Sequence, residues 1–372
     1  FYQMKIYNNF LEYKKVSNAI VTIGTFDGVH LGHQAILKDM VKTAKEIGGE
    51  TVVITFYPHP RQVLNIDSAN LRFITTQEEK IKHLDDLGID NLIIVNFTKE
   101  FSRISSESFI RDYVIDKIAP VKIVIGYDHH FGKNRMGDFN LLYDLGNMYR
   151  FKVQRIPAQD VENIAVSSTK IRHSLQQGNV EHANQLLGYQ FAYIGKVVGG
   201  KKIGREIGFP TANLEVNKEF RLIETPGVYA TYIDFDGKSY KSMTYIGTKP
   251  TINNDRVESI EVHVFDFEGD LYDKTVKIRF VKRIRDDKKF ESLDDLRNQL
   301  KLDDLIDVIL EDTGYLLMLQ NNEEDDRIDN VKELKSIIPV SLSIKDLQYT
   351  PSPLILSPIE KTEHSSDKSL IL

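Results

Sequence analysis

Cysteine is absent from the 372-residue chain, which rules out disulfides and thiolate metal sites and suits a reducing, cytoplasmic setting. Long apolar runs are missing as well: none nears the roughly 20 residues of a membrane span. The opening Phe1-Tyr2-Gln3-Met4-Lys5 lacks the apolar stretch of a signal peptide, and Met4 reads as the natural start. There is no basic excess. The formal net charge of −6 weighs against nucleic acid as the main partner. Internal repeats are not evident. The length exceeds one ordinary domain and suits two plus extras, and 41% hydrophobic residues suffice for real cores.

The first half alternates strand and helix patterns. Apolar strand candidates are 19–23, 51–56, 91–95, 122–125 and 152–156, with helical patterns near 34–47, 76–87, 106–117 and 140–148. Such alternation predicts a doubly wound parallel α/β sheet, Rossmann-like, whose ligands bind beyond the carboxyl ends of the strands. Gly24, Tyr57 and Gly126 each follow a strand, so their loops are expected to converge there. Helical patterns at 169–176 and 180–187 close this half. After Gly188 the pattern becomes short strands broken by turn residues, at 191–198, 228–235, 241–246, 259–265 and 275–281, then a helix near 293–300. Evenly spaced strands of this kind predict a small antiparallel barrel. The remainder is acidic and polar, then rich in Ser and Pro without a period, and reads as a disordered tail.

The stretch Gly24-Thr25-Phe26-Asp27-Gly28-Val29-His30-Leu31-Gly32-His33 is a strand running into a glycine-permissive turn and a helix. Gly24, Phe26, Asp27 and Gly28 are the loop residues expected to border a nucleotide. Such a turn lets a phosphate approach backbone N–H groups at the positive end of a helix. His30 and His33 fit three roles: zinc ligands, packed core histidines or phosphate binders. No third ligand cluster supports zinc. The strand-to-helix turn favours phosphate, where a histidine donates to a nonbridging oxygen and stabilises a pentacovalent transition state.

Three further segments fall at strand or helix ends. Thr55-Phe56-Tyr57-Pro58-His59-Pro60 is a rigid strand-ending loop, its backbone fixed by Pro58 and Pro60, or a planar slot supplied by the aromatics Phe56 and Tyr57. Gly126-Tyr127-Asp128-His129-His130-Phe131-Gly132 offers the Asp128 carboxylate. Val166-Ser167-Ser168-Thr169-Lys170-Ile171-Arg172 is a helix cap or, with the hydroxyls of Ser167, Ser168 and Thr169 and the cations Lys170 and Arg172, a polyphosphate clamp.

In the second half, Gly199-Gly200-Lys201-Lys202-Ile203-Gly204-Arg205-Glu206 ends in Arg-Glu where a P-loop needs Lys-Ser/Thr, and no helix follows. A plain turn or a glycine-rich flap that lays Gly204 over phosphates remains. Thr211 and Asn213 stand two apart, so on a strand they share a face. They are either ordinary strand polars or hard oxygen ligands for Mg²⁺. Ser259, Glu261 and His263 also alternate. If that face lines the barrel mouth, Glu261 is a candidate base for a hydroxyl proton.

These runs together resemble the bifunctional riboflavin kinase/FAD synthetase family. Residues 4–187 are similar to its HxGH nucleotidylyltransferase module through the GxFDGxHxGH run, the FxPHP loop, the 126–132 loop and SSTxIR. Residues 191–300 are similar to its riboflavin kinase module through GRExGFPTAN, PGVY, IGTKPT and SIEVHVFDF. The resemblance implies domains at 4–188 and 189–304, with 305–372 an extension. It implies ATP, riboflavin, FMN and FAD as substrates and products, with Mg²⁺. His30 and His33 would hold the triphosphate. Ser168, Thr169 and Arg172 would grip its β and γ groups, and Phe56, Pro58 and Pro60 would border the flavin. Asp128 would contact nucleotide or hydrated magnesium, Thr211 and Asn213 would hold magnesium–ATP, and Glu261 would be the kinase base.

Three positions depart from the family pattern: Lys170 for Arg, which loses the bidentate fork, Tyr245 for Asn, and Asp287 for Glu. Two other readings compete: a flavin- or nucleotide-binding regulator that has lost catalysis, and a nucleotidylyltransferase with an RNA-binding barrel. Residues 312–334 carry a short likeness to superfamily-1 DNA helicases without an ATPase motif, so no helicase activity follows. The extension reads as a fusion product or a lineage-specific addition.

Overall fold

The computed structural model describes residues 4–66, 71–127, 129–158, 160–161, 164–199, 210–220, 222–223, 225–250 and 256–287. Asp128, Gly204, the 199–206 turn beyond Gly199, the 293–300 helix and the whole extension lie outside the described residues.

The first module begins with β1 (Lys5–Tyr7), β2 (Ile20–Ile23), α1 (Leu31–Ile47) and β3 (Thr51–Tyr57). It continues with α2 (Pro60–Val63), α3 (Gln77–Asp86) and β4 (Asn91–Asn96). Then α4 (Ser106–Phe109) and α5 (Asp116–Ile118) flank a π-helical turn at Ile110–Ile115, followed by β5 (Lys122–Gly126), α6 (Phe139–Tyr149) and β6 (Lys152–Ile156). A small hairpin, β7 (Asp160–Val161) with β8 (Ile164–Ala165), leads to α7 (Ser168–Gln176) and α8 (Val180–Leu187).

The six-stranded sheet is parallel, in the order β1-β4-β3-β2-β5-β6. Both faces are covered, which is why β2 and most of β3 read as continuous apolar runs. Val21, Ile23, Val52 and Ile54 face Phe109, Ile110 and Val114 on one side. Ile20, Val53, Leu92 and Val124 face Leu37, Met40 and Ala44 of α1 on the other. Strand β1 pairs with β4 through only three residues, too few to carry a recognisable pattern.

The second module is a closed antiparallel barrel of β9 (Ala192–Val198), β10 (Thr211–Val216), β11 (Gly227–Phe235), β12 (Lys238–Pro250), β13 (Arg256–Val264) and β14 (Thr275–Asp286). Their order around the barrel is β10-β13-β12-β11-β14-β9. Strands β12 and β14 run longer than their apolar cores suggest. Pairing on both sides extends the ladder past the last inward residues, as in Pro250↔Arg256 and Gly227↔Asp286. Tyr193, Leu214, Ile233, Ile260, Val262 and Phe280 fill the barrel core. The helices that close the first half, α7 and α8, bury Ile171, Leu175, Ala183 and Leu186 in that same cluster. The Asn184 side chain pins this arrangement, donating to the Phe280 carbonyl (2.9 Å) and accepting from the Phe191 amide (2.8 Å). No helix among the described residues is long and apolar enough to cross a membrane.

Candidate functional site

Strand order reverses between β2 and β5, and crevices at such switch points collect ligands beyond the carboxyl ends of the strands. The loop 24–30 leaves β2 at this point. Its backbone is tightly fixed: the Gly28 amide donates to Thr75 Oγ1 (3.1 Å), and Gly28 sits at φ +80°, where a Cβ would press into Ile74. Gly24 lies under the Phe26 ring, 3.0 Å from where a Cβ would stand. Phe26 is itself buried, with its ring edge-on to His33.

His30 caps α1, its Nδ1 accepting from the His33 amide (3.4 Å). One turn on, His33 stacks on it with ring centroids 3.7 Å apart. Both imidazoles are held neutral. Burial, then the Arg172 charge, pushes His30 down to about 4, and burial, His30 and Lys80 hold His33 well below the usual range. His33 Nδ1 is buried with no hydrogen-bond partner, a group that a folded protein seldom leaves unanswered.

The structure draws Asp27 and Arg172 together. The Asp27 carboxylate accepts from the Ile74 (3.0 Å) and Thr75 (3.3 Å) amides and forms a close ion pair with Arg172, whose Nε donates to the Arg72 carbonyl (2.9 Å). Asp27 therefore organises the loop from below, and Arg172 is anchored by two contacts while still bordering a cavity of about 220 Å³. Arg61, Arg72, Thr169, His173 and Leu222 also line that cavity. Ser168 Oγ donates to the Asp27 carbonyl (3.1 Å), which ties the start of α7 to the same loop. Lys170 is exposed.

Pro58 and Pro60 bracket His59, which caps the short α2 helix and accepts from the Arg61 amide (3.1 Å). Burial, then Arg172, Lys80 and Arg61, pushes His59 down to about 3. Phe56 packs edge-on against Phe97 (5.6 Å) and beside Phe101 (6.2 Å), joining an aromatic cluster.

Two residues here escaped the sequence reading. Lys80, 7% exposed on α3, donates from Nζ to the Thr25 carbonyl (3.1 Å). Tyr189 donates to the Gly28 carbonyl (2.5 Å) and stacks on His83. A lysine in a polar run such as Gln77-Glu78-Glu79-Lys80 carries no sign that its side chain turns inward.

On the barrel, Thr211 pairs with His263, and Asn213 with Glu261, which pairs in turn with Tyr245. Side chains directly opposite on an antiparallel pair share a face. Thr211 Oγ1 lies 3.3 Å from Glu261 Oε2. The alternating Ile260, Val262 and Val264 point into the core, so Ser259, Glu261 and His263 face outward. Their face is the outer wall of the barrel, because the interior is packed with side chains. Ser259 Oγ is buried on that wall without a partner, and His263 Nδ1 meets the Pro210 carbonyl (2.9 Å). The departures at 245 and 287 prove to be neighbours: Tyr245 Oη donates to Asp287 Oδ1 (3.0 Å). Burial, that bond and the Glu261 charge push the phenol up to about 12.

Fold and site together define a doubly wound nucleotide-binding enzyme module joined to a closed six-strand barrel. Residues 12–170 match the family described as FAD synthetase, and residues 187–306 the family described as riboflavin kinase. The chain belongs to the bifunctional riboflavin kinase/FMN adenylyltransferase family. The protein of that name from Buchnera aphidicola is 39% identical over 306 residues, 82% of this chain and 97% of the relative. Those from Bacillus subtilis and Escherichia coli are 38% and 34% identical, each over 77% of this chain and 90% of the relative. A solved structure named as a macrolide-efflux protein from Streptococcus pneumoniae aligns with a TM-score of 0.74 at 31% identity, covering 82% of this chain and 98% of that one.

Proposed function

We propose that this chain makes FMN and then FAD, each with ATP. The kinase step transfers the γ-phosphoryl group of ATP to the riboflavin 5′-hydroxyl, leaving ADP. In the adenylyl step the FMN phosphate attacks the α-phosphorus of a second ATP, and pyrophosphate departs. The observation that carries this reading is family membership across both modules at once. The alternative of a catalytically lapsed regulator finds no support among relatives that carry enzyme names.

The residue roles follow from chemistry. In the first module no covalent nucleophile is required, since FMN phosphate is already an anion, so catalysis is positioning plus charge stabilisation. The stacked His30 and His33 sit where a triphosphate meets the start of α1, and His33 Nδ1 is available to it. Thr169 and Arg172, on the cavity wall, suit the departing pyrophosphate. Pro58 and Pro60, with Phe56 behind them, form one edge of the flavin slot; Asp128 keeps the role of a carboxylate toward nucleotide or hydrated magnesium that the family resemblance implies. In the second module Thr211 and Asn213 offer neutral oxygens on the face that carries Glu261. This donor set fits Mg²⁺, which takes few protein ligands and draws the rest from phosphates and water. When bound, the ion would neutralise charge on the transferring phosphoryl group. Glu261 accepts the proton of the riboflavin hydroxyl, oriented by Thr211. The domain limits 4–188 and 189–304 belong to this reading.

Separate assays test it. Glu261→Ala is expected to stop FMN formation from riboflavin and to leave FAD formation from supplied FMN intact. His30→Ala is expected to do the reverse. Equal loss of both steps in either variant overturns the assignment.

A further inference from the structure

Charge is unbalanced around the loop 24–30. Among the described residues, Arg172, partly exposed at the cavity, and the buried Lys80 face one carboxylate, Asp27, which Arg172 already engages, while Arg61 and Arg72 stand on the cavity wall. The histidines add nothing to this balance, because His30, His33 and His59 are neutral across the physiological range. On α3 itself Glu79 is turned away to Lys277 of the barrel (3.2 Å) and to the Thr76 amide (3.1 Å). Tyr189, the remaining titratable neighbour of the loop, stays protonated because burial holds it well above its usual value. Among the described residues the Lys80 ammonium therefore has no carboxylate of its own, and it stands near the unpartnered His33 Nδ1. An unpaired buried ammonium is costly unless something anionic completes it.

Lys80 also has a mechanical role. Its Nζ and Thr55 Oγ1 (3.3 Å) both donate to the Thr25 carbonyl, the turn-off point from β2 into the loop. Holding that carbonyl back fixes the path of Phe26 and Asp27, and through them the histidine stack and Arg172.

We propose that Lys80 is the positioning residue of the adenylyl-transfer site: its ammonium fixes the Thr25 carbonyl and supplies the positive charge that the neutral histidines do not, so ATP engages this module only while Lys80 is protonated. The proposal rests on the adenylyl-transfer reading above. Burial pushes Lys80 down to about 8, with Asp27 pulling it back up, so its charge is lost just above neutral pH.

The full chain is assayed for FAD formation from supplied FMN between pH 7 and 10, with FMN formation from riboflavin as the internal fold control. The wild type is expected to lose kcat/KM for ATP about tenfold per pH unit above roughly pH 8. Lys80→Arg, whose charge persists, is expected to hold its kcat/KM through that range. Lys80→Met at pH 7.5 is expected to lose at least about thirtyfold, chiefly in KM for ATP, with the kinase step unchanged. A wild-type profile flat to pH 10, a Lys80→Met enzyme within threefold of wild type, or a Lys80→Arg enzyme that keeps the alkaline break overturns the proposal. Parallel loss of both activities in Lys80→Met assigns a merely structural role and overturns it too. A wild type that makes no FAD at any pH refutes the adenylyl-transfer reading instead.

Discussion

Replacing Asp27 by Asn tests how the first module holds its loop. The Asp27 and Arg172 side chains are 5% and 15% exposed, so their pair is largely desolvated. Removing one partner of such a pair costs about 3–5 kcal/mol, because the other charge is left buried and uncompensated. Asn keeps an oxygen for the Ile74 and Thr75 amides, which places the expected loss near the lower figure, about 3 kcal/mol. Lys80 adds to the cost by standing as a second cation beside Arg172. With a urea slope of about 2–3 kcal/mol per molar, the unfolding midpoint is expected to fall by about 1–1.5 M. Asp27→Asn with Arg172→Met also removes the guanidinium that Asp27→Asn alone leaves uncompensated, with Lys80 remaining as the one cation that faced Asp27, so the double variant is expected to regain part of what Asp27→Asn alone loses. Urea unfolding followed by far-UV circular dichroism reads both quantities. A midpoint shift below about 0.3 M, or strictly additive losses in the double variant, would refute the account of a buried, mutually dependent pair.

Two further outcomes follow. His30 and His129 are pushed down to about 4 and His59 to about 3, all chiefly by burial, so the unfolded chain binds more protons than the folded one below about pH 6.5. Their contribution is fully present above that value and is lost as pH falls toward 4, with a slope of up to about 1.4 kcal/mol per pH unit for each histidine. Urea midpoints at pH 7.5 and 5.0 measure this, and equal midpoints contradict it. Tyr245→Phe removes the bond to Asp287 beside Glu261, at a stability cost of about 1 kcal/mol or less on this exposed rim. It is expected to change kcat/KM for riboflavin severalfold and to leave FAD formation untouched; no change in either step shows that the paired substitution is silent.

Much of the site could be read along the chain because its parts are local. Gly24 to His33 is one continuous turn, Ser167 caps the helix it was expected to begin, and Thr211 and Asn213 share a strand face as their spacing requires. The α/β alternation and the run of short strands likewise follow from periodicities of a few residues. What escaped was set by distance in sequence. Lys80 reaches Thr25 across 55 residues, Tyr189 reaches Gly28 across 161, and Arg172 meets Asp27 across 145. The outward orientation of Glu261 depended on which alternate set of β13 filled the barrel, and that is decided by six strands closing together.

The order of residues was enough for the two modules, their succession, the glycine- and histidine-rich turn at 24–33 and the chemical groups each half brings, because these depend on near neighbours and on residue type. Only the tertiary structure decided the charge of the first site. Burial makes its histidines neutral and leaves the positive field to Lys80 and to the arginines Arg61, Arg72 and Arg172, with Asp27 spent in holding the loop. Protonation state depends on solvent exclusion and on charges brought together by folding, and neither is a property of any stretch of chain taken alone.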